Sequence, residues 1–295
     1  MGRLLRCFRA FALLAAGLPL SAPPVHADDI SLTVTAANGS QERIPASLSK
    51  PEGSGPFPAV VILHDCSGTG PFSSGAPARW AELLRQRGYV VLMPDSFFSR
   101  GFTRGVCTDA ATRRLEVSPQ RRVRDAYAAL AFLRSLDYVD ARRVGVMGGS
   151  HGGSSTLALL GIPSTSPLLP DDRGFAAAVA LYPGCGQAPR RSAVFRPLAP
   201  LLILVGEKDD WTPAVPCERL ATAAQAEGYP VSIKVYPGAH HSFDSASPVA
   251  YIANRVNGNA PGGRGATTGG DPQAWADAIV AVEVFFGRYL APLGR

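Results

Sequence analysis

The spacing of hydrophobic and polar residues changes period several times along this chain, and each change marks an element. From Asp28 to Lys50 polar and apolar positions alternate on either side of Ala36-Ala37-Asn38-Gly39-Ser40. Alternation is the period of a half-buried strand, and Asn-Gly is a hairpin turn, so two antiparallel strands are predicted over about 30–35 and 42–49. Beyond a Pro/Gly loop at 51–58 the pattern turns continuous. Ala59-Val60-Val61-Ile62-Leu63 has no polar face, as a strand covered on both sides requires.

From there helical and strand periods take turns. Ala78 to Arg87 carries Trp80, Leu83 and Leu84 on one helical face and stops at Gly88; Tyr89 to Met93 is the next strand. Ser118-Pro119 reads as an N-cap with proline at the first helical position, opening a helix that buries Val123, Tyr127, Leu130 and Leu133. A strand over Arg143 to Gly149 leads into a helix over Ser154 to Leu160. Phe175 to Leu181 and Leu201 to Val205 are strands, followed by a helix from about Pro213 to Glu227 that Gly228 ends, and the strand Val231 to Val235. Asp271-Pro272 opens a last helix with Trp275, Ile279, Val282, Phe286 and Leu290 inward. Strands alternating with helices behind a hairpin predict one α/β domain, a mostly parallel, doubly wound sheet with an N-terminal antiparallel hairpin, over 28–295. The glycine-rich stretch 257–270 is expected to be a flexible surface insertion rather than a substrate lid.

The first 27 residues stand apart. Arg3, Arg6 and Arg9 precede an apolar run from Ala10 to Leu20, and Val25-His26-Ala27 is a small-residue cleavage site, so 1–27 reads as a signal peptide. The run is too short to span a bilayer, which predicts an exported protein, periplasmic or secreted, with no membrane contact after cleavage. Removing three arginines and no acid lowers the formal charge from +6 to +3. The remaining arginine pairs are scattered without interleaved aromatics, so they are solvated faces and no nucleic-acid partner is expected. Cys7 leaves with the leader. Cys66, Cys107, Cys185 and Cys217 lack the spacing of a metal site, and in an oxidising compartment disulfides are expected, with three pairings open.

Candidate chemistry begins at Gly148-Gly149-Ser150-His151-Gly152, a G-x-S-x-G turn between a strand and a helix. Such a turn presents a serine hydroxyl at the top of a sheet, with the N–H of the following residue, here His151, aimed at a developing oxyanion. A serine nucleophile needs a base and an acid to orient it. His240 and His241 follow the strand ending at Val235, while His64 follows the strand ending at Leu63. Glu207, Asp209 and Asp210 follow the strand ending at Val205. Loops after parallel strands share one edge of the sheet, so any of these acids and histidines could meet Ser150. The order Ser, then acid, then His is that of α/β-hydrolases. A second oxyanion donor is expected from the loop His64-Asp65-Cys66-Ser67-Gly68-Thr69-Gly70.

The chain resembles the dienelactone hydrolase family of α/β-hydrolases through PAVVILHDCSG, YVVLMPDSF, RVGVMGGSHGG, LYPGCG, PLLILVGEKDDWTP and YPGAHHSFD. The resemblance implies the α/β-hydrolase fold, Asp209 as the acid, His241 as the base, and the N–H of Cys66 as the second oxyanion donor. Placed on that framework, Cys66 and Cys107 fall on neighbouring loops of the catalytic edge, and Cys185 and Cys217 flank the acid's loop; the expected disulfides are Cys66–Cys107 and Cys185–Cys217. Two departures matter. The family's cysteine nucleophile is Ser150 here. Of the two arginines that hold a substrate carboxylate in the family, Arg100 lies near one position, with a structural ion pair as its competing role, and Asp244-Ser245 occupies the other. The expectation is an exported serine hydrolase of a carboxylic ester or lactone, acting through an acyl-enzyme, with no metal or organic cofactor and a small-molecule ester or lactone as its partner. The alternatives are a peptidase or acyltransferase on the same fold, or a binding protein on a hydrolase scaffold. Substrate choice is left to the loops 68–77, 95–117 and 162–173.

Overall fold

The computed structural model describes residues 2, 28–109, 115–163, 166, 168, 174–187 and 194–291. The expected signal peptide lies outside them. The N-terminal hairpin pairs β1 (Asp28–Thr35) with β2 (Gln41–Ser49), and the chain continues through β3 (Phe57–Leu63), α1 (Ala76–Gln86) and β4 (Val90–Pro94). Next come α2 (Pro119–Arg134), β5 (Val139–Gly149), α3 (His151–Leu160), β6 (Ala177–Leu181) and β7 (Leu201–Gly206). The chain ends with α4 (Ala214–Ala226), β8 (Val231–Tyr236), β9 (Ala250–Val256), β10 (Arg264–Thr268) and α5 (Pro272–Tyr289). Ser118 and Asp271 cap α2 and α5 as their sequence context predicts, each side chain accepting from backbone N–H groups of the first turn.

The eight-stranded sheet runs β1-β2-β4-β3-β5-β6-β7-β8; β1, β2 and β4 pair antiparallel and the rest parallel. Both faces are covered. Leu130 and Leu133 of α2, Leu159 of α3 and Ala221 of α4 pack with Val61 and Val146 on one face. Trp80 and Leu84 of α1, with Val282 and Phe286 of α5, pack with Val60 and Met147 on the other. This is why β3, β6, β7 and the Val144–Met147 part of β5 are apolar without alternation. Among the described residues no helix is long and apolar enough to cross a membrane.

Two stretches differ from the pattern read in the sequence. The stretch 257–270, expected as a flexible insertion, supplies the turn and second strand of a hairpin with β9. Asn257 is buried and its amide donates to the carbonyls of Asp210 (3.0 Å) and Gly265 (2.8 Å), which fastens the hairpin to the loop after β7. At Gly269 and Gly270 a Cβ would overlap the backbone of Val249 and Ser245, and Gly265 has φ 96°, so part of a composition that resembles a linker reflects close packing and a left-handed backbone. The second stretch is α3, which starts at His151, three residues before the predicted start. Its glycines weaken helix propensity, but tertiary contact demands them.

Arg100 takes its structural role. Its guanidinium forks onto Asp125 of α2 at 2.7 and 2.8 Å and also donates to Glu42 of β2, which Arg121 engages as well. Asp125 is fully buried, so this pairing satisfies a carboxylate that has no access to water. Replacing Arg100 with Ala should therefore cost about 3–5 kcal/mol in chemical denaturation.

Candidate active site

Parallel pairing of β3, β5, β6, β7 and β8 brings their carboxyl ends to one edge, and the candidate residues emerge there. Ser150, between β5 and α3, has φ 53° and ψ −113°, a backbone shape costly for any residue with a side chain. The sharp turn is possible because Gly152 lies against the end of β3, where a Cβ would overlap the carbonyl oxygen of Leu63; Gly148 is confined by Gly152 in turn. The small residues of the motif are thus explained by one backbone contact.

His241 Nε2 lies 2.9 Å from Ser150 Oγ, and its Nδ1 lies 2.8 Å from Asp209 Oδ2. A carboxylate oxygen only accepts, so Nδ1 carries the ring proton and Nε2 is left to accept from the serine. Ser150, Asp209 and His241 are all buried, which strengthens each link. The loop after β7 orients its own acid: Trp211 and Thr212 donate backbone N–H groups to Asp209 Oδ1 at 2.9 and 2.7 Å. The rival acids have other partners. Asp210 accepts from Thr267 of β10, and Glu207 accepts from the N–H of Gly238. His240 is turned aside to the Lys208 carbonyl. Tyr182 and Trp211 hold the His241 ring, each with its ring centre 4.8 Å away.

His64, the third candidate base, is fully buried behind the site. Its Nδ1 lies 2.8 Å from the Asp65 carbonyl and its Nε2 accepts from the Ser96 N–H at 3.1 Å. Burial, aided by the charge of Arg122, lowers its pKa from 6.5 to about 4, so it is a neutral strut. Arg122 of α2 is also fully buried. One Nη1 donates to the His64 carbonyl and to His151 Nδ1, both at 2.9 Å, while the guanidinium lies over the Phe97 ring. It ties the loop after β3 to the residue after Ser150, the two segments expected to supply the oxyanion donors. The His151 side chain is accordingly turned away from the nucleophile, towards Arg122.

The cleft beside Ser150 has a volume of about 350 Å³, and Cys66, His151, Trp211, Thr212, Val256 and Asn259 are among the residues lining it. Arg100 is not among them; its guanidinium is held in the ion pair described above. Disulfides join Cys66 to Cys107 and Cys185 to Cys217, as expected. Each closes a long loop and contributes about 4 kcal/mol by chain entropy. Sequence reasoning assigned no role to Thr212, Tyr182 or Asn257, and it read Arg122 among the solvated arginine pairs, which its full burial corrects. Thr212 Oγ1 lies 2.9 Å from Asp209 Oδ2, 3.0 Å from His241 Nδ1 and 3.0 Å from the Tyr182 carbonyl. Its only signal was its place three residues after the acid.

A mostly parallel sheet with a strained serine turn, and an acid and a histidine on later strand ends, defines an α/β-hydrolase. The chain belongs to the dienelactone hydrolase family, whose family model matches residues 44–290. It is a carboxylic ester hydrolase of that family. A "putative carboxymethylenebutenolidase" from Methylorubrum extorquens is 27% identical over 266 residues, covering 81% of this chain and 84% of that protein. Among solved structures, a "putative dienelactone hydrolase" from Klebsiella pneumoniae has TM-score 0.64 at 22% identity, covering 90% of this chain and 100% of its own. A propionate-bound thermophilic esterase from Thermogutta terrifontis has TM-score 0.60 at 18% identity, covering 91% and 97%. These two similarities concern the fold.

The His64 environment has a measurable consequence. Between about pH 4 and 6.5 an unfolded histidine is protonated while native His64 is not, so its contribution is intact above that window and lost as pH falls through it. The loss is on the order of 3 kcal/mol at most. Urea midpoints measured from about pH 7 to 4.5 should fall more steeply for the wild type than for His64→Gln.

Proposed function

We propose that the protein is an exported serine hydrolase that cleaves neutral carboxylic esters through an acyl-enzyme. The observation that carries this is the relay from Ser150 Oγ through His241 to Asp209, with bonds of 2.9 and 2.8 Å at the floor of a cleft. In this reading Ser150 Oγ attacks the ester carbonyl as His241 Nε2 takes its proton, and Asp209 stabilises the imidazolium. The N–H groups of Cys66 and His151 receive the oxyanion. Collapse of the intermediate expels the alcohol, which leaves with the proton from His241. The same nitrogen then activates water, which releases the carboxylic acid and restores Ser150.

Neutrality of the substrate is supported by the lining of the cleft: among its described residues there is no Asp, Glu, Lys or Arg. The name of the Methylorubrum relative denotes a carboxylated lactone as substrate. Here the two positions that would hold such a carboxylate are engaged elsewhere. Arg100 is paired with Asp125, and Asp244 is buried, accepting from Trp80 Nε1 and the Tyr182 hydroxyl. Export is supported by the leader pattern of residues 1–27 and by the two disulfides.

An ester panel run on wild type and Ser150→Ala, with intact-mass detection of the acyl adduct, tests the assignment. Turnover should drop by at least about 10³-fold and the adduct should vanish. Equal turnover by the two proteins would refute Ser150 as nucleophile. Because His241 must be neutral to accept a proton, kcat/KM should also decline on acidification; a flat profile between about pH 4 and 9 would count against this base.

A further inference from the structure

A second cavity, of about 270 Å³, adjoins the cleft. Pro119, Ser154 and Gly184 line both spaces, so a chain passing from one to the other passes them. Beyond them the walls are Leu157, Ala158, Ile162, Pro163 and Phe195, with Gln120 at one side. These positions follow from helix geometry. Ser154, Leu157, Ala158 and Gly161 stand four, seven, eight and eleven residues after Ser150, so one face of α3 leads from the nucleophile to the far end of the cavity. At 1.5 Å per residue that face is about 16 Å long. Gly161 closes the far end against Phe195, whose ring a Cβ there would approach to 3.2 Å.

This boundary makes no polar demand on a ligand. The Ser154 hydroxyl donates to the Ser150 carbonyl at 3.1 Å and accepts from the Gly184 N–H at 2.9 Å, so its bonding is already used. Direction is decided by the base. A leaving alcohol must lie within reach of His241 Nε2 to receive its proton. The His241 ring is flanked by Trp211 and Thr212, which line the cleft but not the second cavity. The alcohol therefore sits on the Trp211 side, and the acyl group points along α3.

On the reading that Ser150 is the nucleophile of an ester hydrolase, we propose that the cavity along α3 is an acyl-chain pocket. It selects esters of unbranched, uncharged medium-chain carboxylic acids over acetates. Each methylene drawn into it raises kcat/KM by about fourfold until the pocket is full.

The test is a series of esters sharing one alcohol with acyl chains of about two to eight carbons, beside a series of acetates differing in the alcohol. For each protein the readout is the ratio of hexanoate to acetate kcat/KM, which does not depend on the fraction of enzyme that is folded. The wild-type ratio should be at least about tenfold in favour of hexanoate. In Ala158→Trp, which fills the cavity, it should fall at least about tenfold; in Ile162→Ala, which enlarges it, the preferred chain should lengthen. A wild type indifferent to acyl length, an unchanged ratio in Ala158→Trp, or a variant effect confined to the alcohol series would each overturn the proposal. Acetate turnover that persists undiminished in Ser150→Ala would instead overturn the ester-hydrolase mechanism on which the pocket depends.

Discussion

The contact between the backbone of Gly152 and the end of β3 is the constraint on which the site depends. The turn from β5 into α3 can be sharp enough to expose Ser150 only if nothing separates the helix start from the Leu63 carbonyl. That contact excludes a side chain at Gly152 and tightens Gly148. It forces the strained torsions at Ser150 and starts α3 where helix propensity alone would not. It also sets the loop after β3 beside the first residue of α3, the arrangement two oxyanion donors require. The strain at Ser150 persists because β5 is flanked in the middle of the sheet by β3 and β6, whose pairing extends to Gly148 and Gly149.

Around this turn the protein uses buried charge and neutral polar groups as braces. Arg122 links the His64 carbonyl to His151, so one guanidinium sets the spacing of two loops. His64 can share that interior because burial and the nearby cation keep it uncharged. Arg100 and Asp125 form a second brace between the N-terminal hairpin side and α2. The disulfides and the β9–β10 hairpin fasten the outer loops, with Asn257 and Thr267 engaging the loop that carries Asp209. Arg122, His64, Arg100 and Asn257 do not line the cleft. Each removes a freedom that a three-residue relay spread over three strand ends could not tolerate.

The cleft and the cavity along α3 differ in their surroundings. The cleft meets the hairpin and the acid's loop. The cavity is walled by α3 and the segment after it, where apolar surface is available. Arg100 and Asp244, near the positions that the family resemblance links to a substrate carboxylate, are drawn into the framework. Loops can vary in this way without disturbing the strand ends.

The sequence by itself determined the sheet, its parallel character and the strand ends from which a serine, an acid and a histidine would come. Continuous apolar runs mark strands covered on both faces, helix caps are local, and the order serine, acid, histidine follows from chain direction. It also carried the cysteine pairing, through the resemblance. It did not distinguish Asp209 from Asp210 and Glu207 by residue type, since all three are carboxylates on one loop. Tertiary structure separates them by hydrogen bonds to Thr267 and Gly238, partners far away in the chain. Nor did composition reveal that Gly269 and Gly270 mark close packing, because a glycine demanded by contact and one permitted by flexibility are written with the same letter. The fate of Arg100 is of this kind as well. Whether a cation meets substrate or a buried Asp125 depends on which partner lies nearer in three dimensions, and local periodicity carries no information about that distance.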